Sequence, residues 1–266
     1  MSSSLVKNQV YIIVLDIEGT TTPVEFVYKT LFPYANRKLK SFLSKHFREP
    51  EIESLIQQLY SQHQADERHG FQQLYSQHQG DERQGLQPSA WIDDEHNESW
   101  TRACVEYCKW LMARDSKSTP LKSLQGKIWE EGYALGELHG QVYVDVPPAF
   151  SRWRLQKREI CIYSSGSVLA QQLLFRSTSY GDLTPQISAF FDTRIGAKTE
   201  TYSYRKIAEA LTHNPLDLLF ISDAVKEVRA ASDAGMQAII CNRDVQAPQS
   251  EEAKTFIHSF DEVFPG

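Results

Sequence analysis

Two carboxylates, Asp16 and Glu18, stand two residues apart directly after the apolar run Val10-Tyr-Ile-Ile-Val-Leu15. Gly19 follows them and permits a tight turn. An Asp at the end of a buried strand can act as a nucleophile and form an aspartyl-phosphate. Two such close carboxylates repel one another. A cation is therefore expected beside them, and oxygen ligands suit Mg²⁺. By themselves the same residues could be an acidic turn and nothing more.

Three further groups stand at comparable places. Tyr163-Ser164-Ser165-Gly166-Ser167 puts hydroxyls and backbone N–H groups where a strand gives way to a helix, an arrangement that cradles a phosphate. Ser167 alone could be a helix cap. Lys198 closes Phe191-Asp-Thr-Arg-Ile-Gly-Ala-Lys198; a lone lysine is ordinarily solvated surface, but a cation suits a phosphoryl site. Phe220-Ile-Ser-Asp223 sets another carboxylate just past an apolar run, with Glu227 one helical turn on.

The elements that must position these groups can be read from the apolar pattern. Val10–Leu15, Ile160–Tyr163, Asp217–Ile221 and Gln237–Cys241 are short, β-branched and non-alternating, as strands buried on both faces of a parallel sheet are. Helical spacing occupies 168–175, 203–211 and 225–234, the last ending before Gly235. Strand alternating with helix predicts an α/β fold, a Rossmann-like parallel sheet. Its ligands should lie beyond the carboxyl ends of the strands. Residues 24–144 lack strand-like runs and carry helical spacings such as Leu31, Tyr34, Leu39, Phe42 and Leu43. They are expected to form a helical cap inserted after the first strand. Residues 1–23 and 145–266 then make the catalytic core.

Inside the cap, residues 57–70 (QQLYSQHQADERHG) recur as 72–85 (QQLYSQHQGDERQG). Two copies are too few for a solenoid. The repeat at 57–85 is polar and interrupted by Gly70, Gly80 and Gly85, so an exposed helix–loop extension is expected, with His63 and His78 on its polar surface. Cys104 and Cys108 have no second cysteine pair to complete a zinc site and are expected to be core. Trp91, Trp100, Trp110, Trp129 and Trp153 are expected to be hydrophobic anchors.

Composition narrows the partners. The chain has 266 residues, with 28 Lys and Arg against 34 Asp and Glu, a net charge of −6. That balance argues against nucleic acid or an anionic membrane surface, both of which reward a basic face. No apolar run approaches the length that spans a bilayer. Four cysteines are too few for a disulfide framework, which fits a reducing, cytoplasmic compartment. Nothing reads as a coiled coil, and a monomer is expected.

The order Asp-x-Glu, Ser-Ser-Gly, Lys, Ser-Asp resembles the haloacid dehalogenase superfamily of phosphotransferases over residues 8–25 and 143–243. The strings Asp16-Ile-Glu-Gly-Thr-Thr-Thr-Pro23, Leu31-Phe-Pro-Tyr34, Tyr163-Ser-Ser-Gly-Ser167, Phe191-Asp-Thr and Ser203-Tyr-Arg-Lys-Ile207 are similar to those of the enolase-phosphatases of methionine salvage. That resemblance implies enolisation of the phosphorylated diketone 2,3-diketo-5-methylthiopentyl-1-phosphate, then dephosphorylation to the acireductone. It implies Asp16 as nucleophile and Glu18 as acid/base. Ser164, Ser165 and Lys198 would bind the substrate phosphate. One Mg²⁺ would be held by Asp16, Asp223 and the Glu18 locus. Two other readings stay open: a phosphatase of a different small ester, and a non-enzymatic binding protein on a phosphatase fold. The base for enolisation has no sequence signature.

Overall fold

A computed structural model of the chain describes residues 10–76, 91, 98–114, 116, 118–244 and 256–266. In chain order the larger elements are β1 (Ile12–Leu15), α1 (Val24–Phe26), a π-helical turn (Val27–Leu31), α2 (Phe32–His46), α3 (Pro50–Ser76), α4 (Glu98–Ala113), α5 (Thr119–Ala134), α6 (Val146–Leu155), β2 (Glu159–Tyr163), α7 (Val168–Arg176), β3 (Ala189–Phe191), α8 (Thr201–Ala210), β4 (Leu218–Ser222), α9 (Val225–Asp233), β5 (Gln237–Cys241) and β6 (Phe256–Ile257). The chain divides into two compact units, residues 1–30 with 132–266, and residues 31–131. The sequence had suggested boundaries at 23/24 and 144/145.

The first unit is built on a six-stranded parallel sheet in the order β3-β2-β1-β4-β5-β6. Strand β1 is central and all four of its residues are buried, as its unbroken Ile-Ile-Val-Leu run requires. Leu15 pairs with Ile162 of β2 and Ile221 of β4. The chain after β1 therefore emerges between the ends of its two neighbours. The order reverses between β1 and β4, and the crevice at such a reversal is where α/β sheets bind ligands.

Helices cover both faces. Ile12, Val14, Cys161, Tyr163, Leu218 and Phe220 pack with Tyr204, Ile207 and Ala208 of α8 and Ala230 and Ala231 of α9. Alternate strand residues such as Ile13 and Leu15 point to the opposite face. Phe150 and Trp153 of α6 and Phe175 of α7 form an aromatic cluster with Phe260, and Trp153 is wholly buried. Strands β3 and β6, three and two residues long, were not expected from the sequence. Such short pieces have no period to read. They form because edge backbone finds partners, as when Ser188 N donates to the Ile160 carbonyl.

The second unit is helical. Leu39, Phe42 and Leu43 of α2 and Cys104, Val105, Cys108 and Leu111 of α4 are buried at helical spacing. Trp129 Nε1 donates to the Leu31 carbonyl at 2.9 Å. The first copy of the repeat corrects the expectation of an exposed extension. Helix α3 runs through Gly70 to Ser76, and Ile52, Ile56, Leu59 and His63 line its buried face. The His63 ring stands edge-to-face with Tyr107 at 4.8 Å and Trp91 at 5.6 Å. Tyr107 donates to Asp66 at 2.6 Å, and Ser118 donates to Gln62 at 2.6 Å. A composition-based reading failed because these polar residues meet aromatic and hydroxyl partners that are remote in sequence. Residues 77–85 of the second copy, His78 included, lie outside the described residues. All four cysteines are buried free thiols, and no helix among the described residues is long and apolar enough to cross a membrane.

Candidate active site

The turn after β1 is a compact hydrogen-bonded loop. The Ile17 carbonyl accepts from the amides of Thr20, Thr21 and Thr22, and Gly19 N donates to the Thr22 carbonyl. Gly19 has a φ of 69°, the left-handed conformation that favours glycine. Thr20, Thr21 and Thr22 are fully buried, so the turn is packed rather than loose. Thr21 Oγ1 donates to the Asp16 carbonyl at 3.0 Å.

The structure brings Asp16, Lys198 and the end of β4 together. Asp16 is buried, and its N–H donates to the Ile221 carbonyl. Its Oδ1 accepts from Ile17 N at 2.7 Å and meets Lys198 Nζ at 2.5 Å; its Oδ2 accepts from Ser222 Oγ at 2.8 Å. Lys198 Nζ also meets Glu227 Oε2 at 2.6 Å. Burial works against the lysine's charge, but Asp16 and Glu227 overcome it and hold Lys198 above its usual range. Glu227 is pushed up by burial and then by the charge of Asp16. Ser222 Oγ lies 3.0 Å from the same Glu227 oxygen, so the hydroxyl links the two carboxylates. Glu227 is thus part of the site. Its signal in sequence was a carboxylate four residues after Asp223, which alone is a common helix-start residue.

Lys198 is delivered by a pinned loop. Tyr163 donates to the Gly196 carbonyl at 2.9 Å, Ser203 to the Ala197 carbonyl at 2.7 Å and Tyr204 to the Lys198 carbonyl at 2.7 Å. A side chain at Gly196 would run into Ser203. Burial pushes Tyr163 up to about 12, which keeps its hydroxyl a donor.

Ser164 directly follows β2 and is buried, with its N–H on the Phe191 carbonyl. Its Oγ accepts from Gly166 N at 3.2 Å. Ser165 is exposed. Ser167 caps α7 by accepting from Ala170 N, so the cap reading of that residue holds. Both serines therefore stand at the mouth of a helix N-terminus, next to the strand that carries Asp16.

Asp223 N donates to Thr20 Oγ1 at 3.0 Å, tying the end of β4 to the turn. The residue is exposed at the rim, yet its carboxylate rests against the Gly19 backbone. That local burial, then repulsion from Asp16 with a smaller push from Glu18, outweighs Lys198 and raises Asp223 to about 6. Asp16, Glu18 and Asp223 thus share one electrostatic neighbourhood. Among the described residues, however, no three His, Cys, Asp or Glu side chains are gathered into a ready ligand cluster. The donors are hard oxygens, their negative charge exceeds what Lys198 offsets, and Gly19 leaves room for Asp223 where a Cβ would stand. That donor set fits Mg²⁺.

Residues 11–235 match the family model of the haloacid dehalogenase-like hydrolases. The enolase-phosphatase E1 of Synechococcus elongatus is 44% identical over 254 residues, covering 94% of this chain and 96% of that protein. The enolase-phosphatase E1 of Drosophila melanogaster is 39% identical, covering 92% and 88%. Among solved structures, the UTR4 protein of Saccharomyces cerevisiae superposes with a TM-score of 0.72 at 29% identity, covering 95% of this chain and 99% of that one.

Proposed function

Because the chain belongs to the haloacid dehalogenase-like hydrolases, and within them to the enolase-phosphatases, we propose that it turns over 2,3-diketo-5-methylthiopentyl-1-phosphate in methionine salvage, through the residues described above. The products are the acireductone and phosphate. The observation that carries the reading is the Asp16 carboxylate, buried at the tip of the central strand and held by Lys198 Nζ at 2.5 Å and Ser222 Oγ at 2.8 Å.

In this reading Asp16 attacks the phosphorus of the enolised substrate. Its carboxylate is oriented by three donors before substrate arrives, which removes much of the entropic barrier. Glu18 protonates the departing enol oxygen, then takes a proton from the water that hydrolyses the aspartyl-phosphate. Ser164 and Ser165, with the first amides of α7, hold the phosphoryl oxygens. Lys198 neutralises charge shared between Asp16 and the phosphoryl group; one preorganised contact of this kind is commonly worth about 2.7–4 kcal/mol of barrier. One Mg²⁺, held by Asp16, Asp223 and the Glu18 locus, would offset the remaining negative charge on the phosphoryl group. Glu227 and Ser222 act on Lys198 and Asp16, so they set the position of the charged groups. We take the enzyme to act as a monomer in the cytoplasm, a setting in which four free thiols persist.

The test supplies the phosphorylated diketone and follows enol absorbance and phosphate together. Both should appear with Mg²⁺, and phosphate release should be lost in Asp16→Asn, which removes the attacking carboxylate. Phosphate release without any enol signal, or equal turnover of unrelated esters, would favour a different phosphatase.

A further inference from the structure

Behind the Asp16–Thr22 turn stands a charged residue to which none of the roles above is given. Arg243 follows β5, and its side chain is about nine-tenths buried, as is its partner Asp145. Its Nε and Nη2 both donate to the Thr20 carbonyl, at 3.0 and 2.7 Å. Its Nη1 meets Asp145 Oδ2 at 2.6 Å. The guanidinium lies over the Tyr143 ring at 4.4 Å and the Phe260 ring at 4.5 Å. Asp145 is itself fixed, because Oδ2 also accepts from Phe260 N at 2.6 Å and Ser259 Oγ at 3.1 Å. Tyr143 N donates to the Thr21 carbonyl beside it.

A two-pronged guanidinium on one carbonyl is a directional grip that an ammonium cannot copy. The carbonyl it grips belongs to the residue two beyond Glu18, whose hydroxyl also accepts from Asp223 N. Asp16 touches the same turn through the Ile17 amide and the Thr21 hydroxyl, but it has further holds outside it in the β4 backbone, Lys198 and Ser222, which leave it less dependent on the Thr20 carbonyl. We propose that Arg243, braced by Asp145, is a positioning residue that sets the Glu18 side of the turn, and so governs the acid/base step separately from nucleophilic attack. This rests on the reading of Glu18 as acid/base.

The experiment is rapid-quench measurement of phosphoprotein formation and decay in the full-length Mg²⁺-loaded enzyme, in wild type, Glu18→Gln, Arg243→Ala and Arg243→Lys, alongside thermal unfolding. In Arg243→Ala, kcat should fall on the order of 10- to 100-fold, the scale of a misplaced catalytic group. KM should change less than about threefold, since an interaction lost after binding lowers kcat rather than affinity. Phosphoprotein should accumulate because decay slows more than formation, and millimolar guanidinium should restore decay. Equal slowing of both steps, or a loss that guanidinium leaves untouched, overturns the inference. Should Arg243→Ala fail to fold, Arg243→Lys decides. It keeps a cation for Asp145 but not the paired donors, so accumulation supports the inference and wild-type decay overturns it. Failure of Glu18→Gln to accumulate phosphoprotein would remove the acid/base reading by a separate result, and this inference with it.

Discussion

The Asp223 carboxylate occupies the place where a side chain at Gly19 would put its Cβ. The same glycine has a φ of 69°, so two demands meet at one position. Gly19→Ala should lose about 1–2 kcal/mol through the backbone alone, and the displaced Asp223 should weaken Mg²⁺ binding further. Thermal unfolding and a Mg²⁺ titration followed by calorimetry read the two effects separately. Wild-type Mg²⁺ affinity in this variant would show that Asp223 is not a ligand.

Asp223, raised to about 6, ties metal binding to pH. Below that value the carboxylate holds a proton that Mg²⁺ must displace, so apparent affinity should weaken as pH falls through 6. In metal-free protein the sign for stability is the reverse. The folded state holds this proton more tightly than the unfolded chain does. The stabilisation is complete below the ordinary Asp range near 4 and fades as pH rises through about 6. Unfolding curves at pH 4.5 to 7.5, with and without Mg²⁺, should therefore diverge as pH rises. Parallel curves would separate Asp223 from the metal.

Asp16→Asn keeps the shape of the nucleophile and cannot form an acyl-phosphate, so phosphate release should fall to background. Glu18→Gln should still phosphorylate Asp16 when the leaving group is good, then stall, because no base activates water. Rapid-quench detection of phosphoprotein distinguishes them. Phosphoprotein persisting in Asp16→Asn would rule out Asp16 as the attacked residue.

Lys198→Met should be costly. It leaves two carboxylates, Asp16 and Glu227, facing one another in a buried site, and breaking a buried charge set by removing one partner costs about 3–5 kcal/mol. Adding Glu227→Gln should return part of that stability without returning turnover. Denaturant unfolding of the single and double variants gives the coupling. An additive result would mean that the two residues act independently.

Deleting residues 57–71 should leave the fold and turnover nearly intact, though α3 is buried there. The deletion joins Ile56 to Gln72, and the second copy then supplies Leu74, Tyr75, Gln77, His78 and Asp81 in the register of Leu59, Tyr60, Gln62, His63 and Asp66. Every side chain named in the α3 packing is either retained or has an identical replacement. By contrast, deleting 57–86 removes both sets and should cost solubility. The soluble yield and melting temperature of the two deletions test this directly, and equal loss in both would show that the copies are not equivalent.

The α/β core was legible because its strands are buried on both faces and so read as unbroken apolar runs. The places of Asp16, Glu18, the Ser-Ser-Gly turn and Asp223 just past strands were legible because the unbroken apolar runs mark where each strand ends. Glu227 and Ser222 were noted beside Asp223 without a role, and Arg243 was not noted at all. Their roles come from partners 29, 206 and 223 residues away, Lys198, Asp16 and Thr20. His63 was misread for a related reason. A histidine on a polar stretch looks solvated until Trp91 and Tyr107 close over it.

The three hydroxyls that pin residues 196–198, from Tyr163, Ser203 and Tyr204, all come from the first unit, as do the contacts that hold Asp16, Asp223 and Arg243. Among the described residues, the groups named in the charge centre all belong to the first unit. An internal duplication could arise in residues 31–131, and be retained or lost, without a compensating change among the charged groups. In evolutionary terms the helical unit and the charge centre can drift on separate clocks.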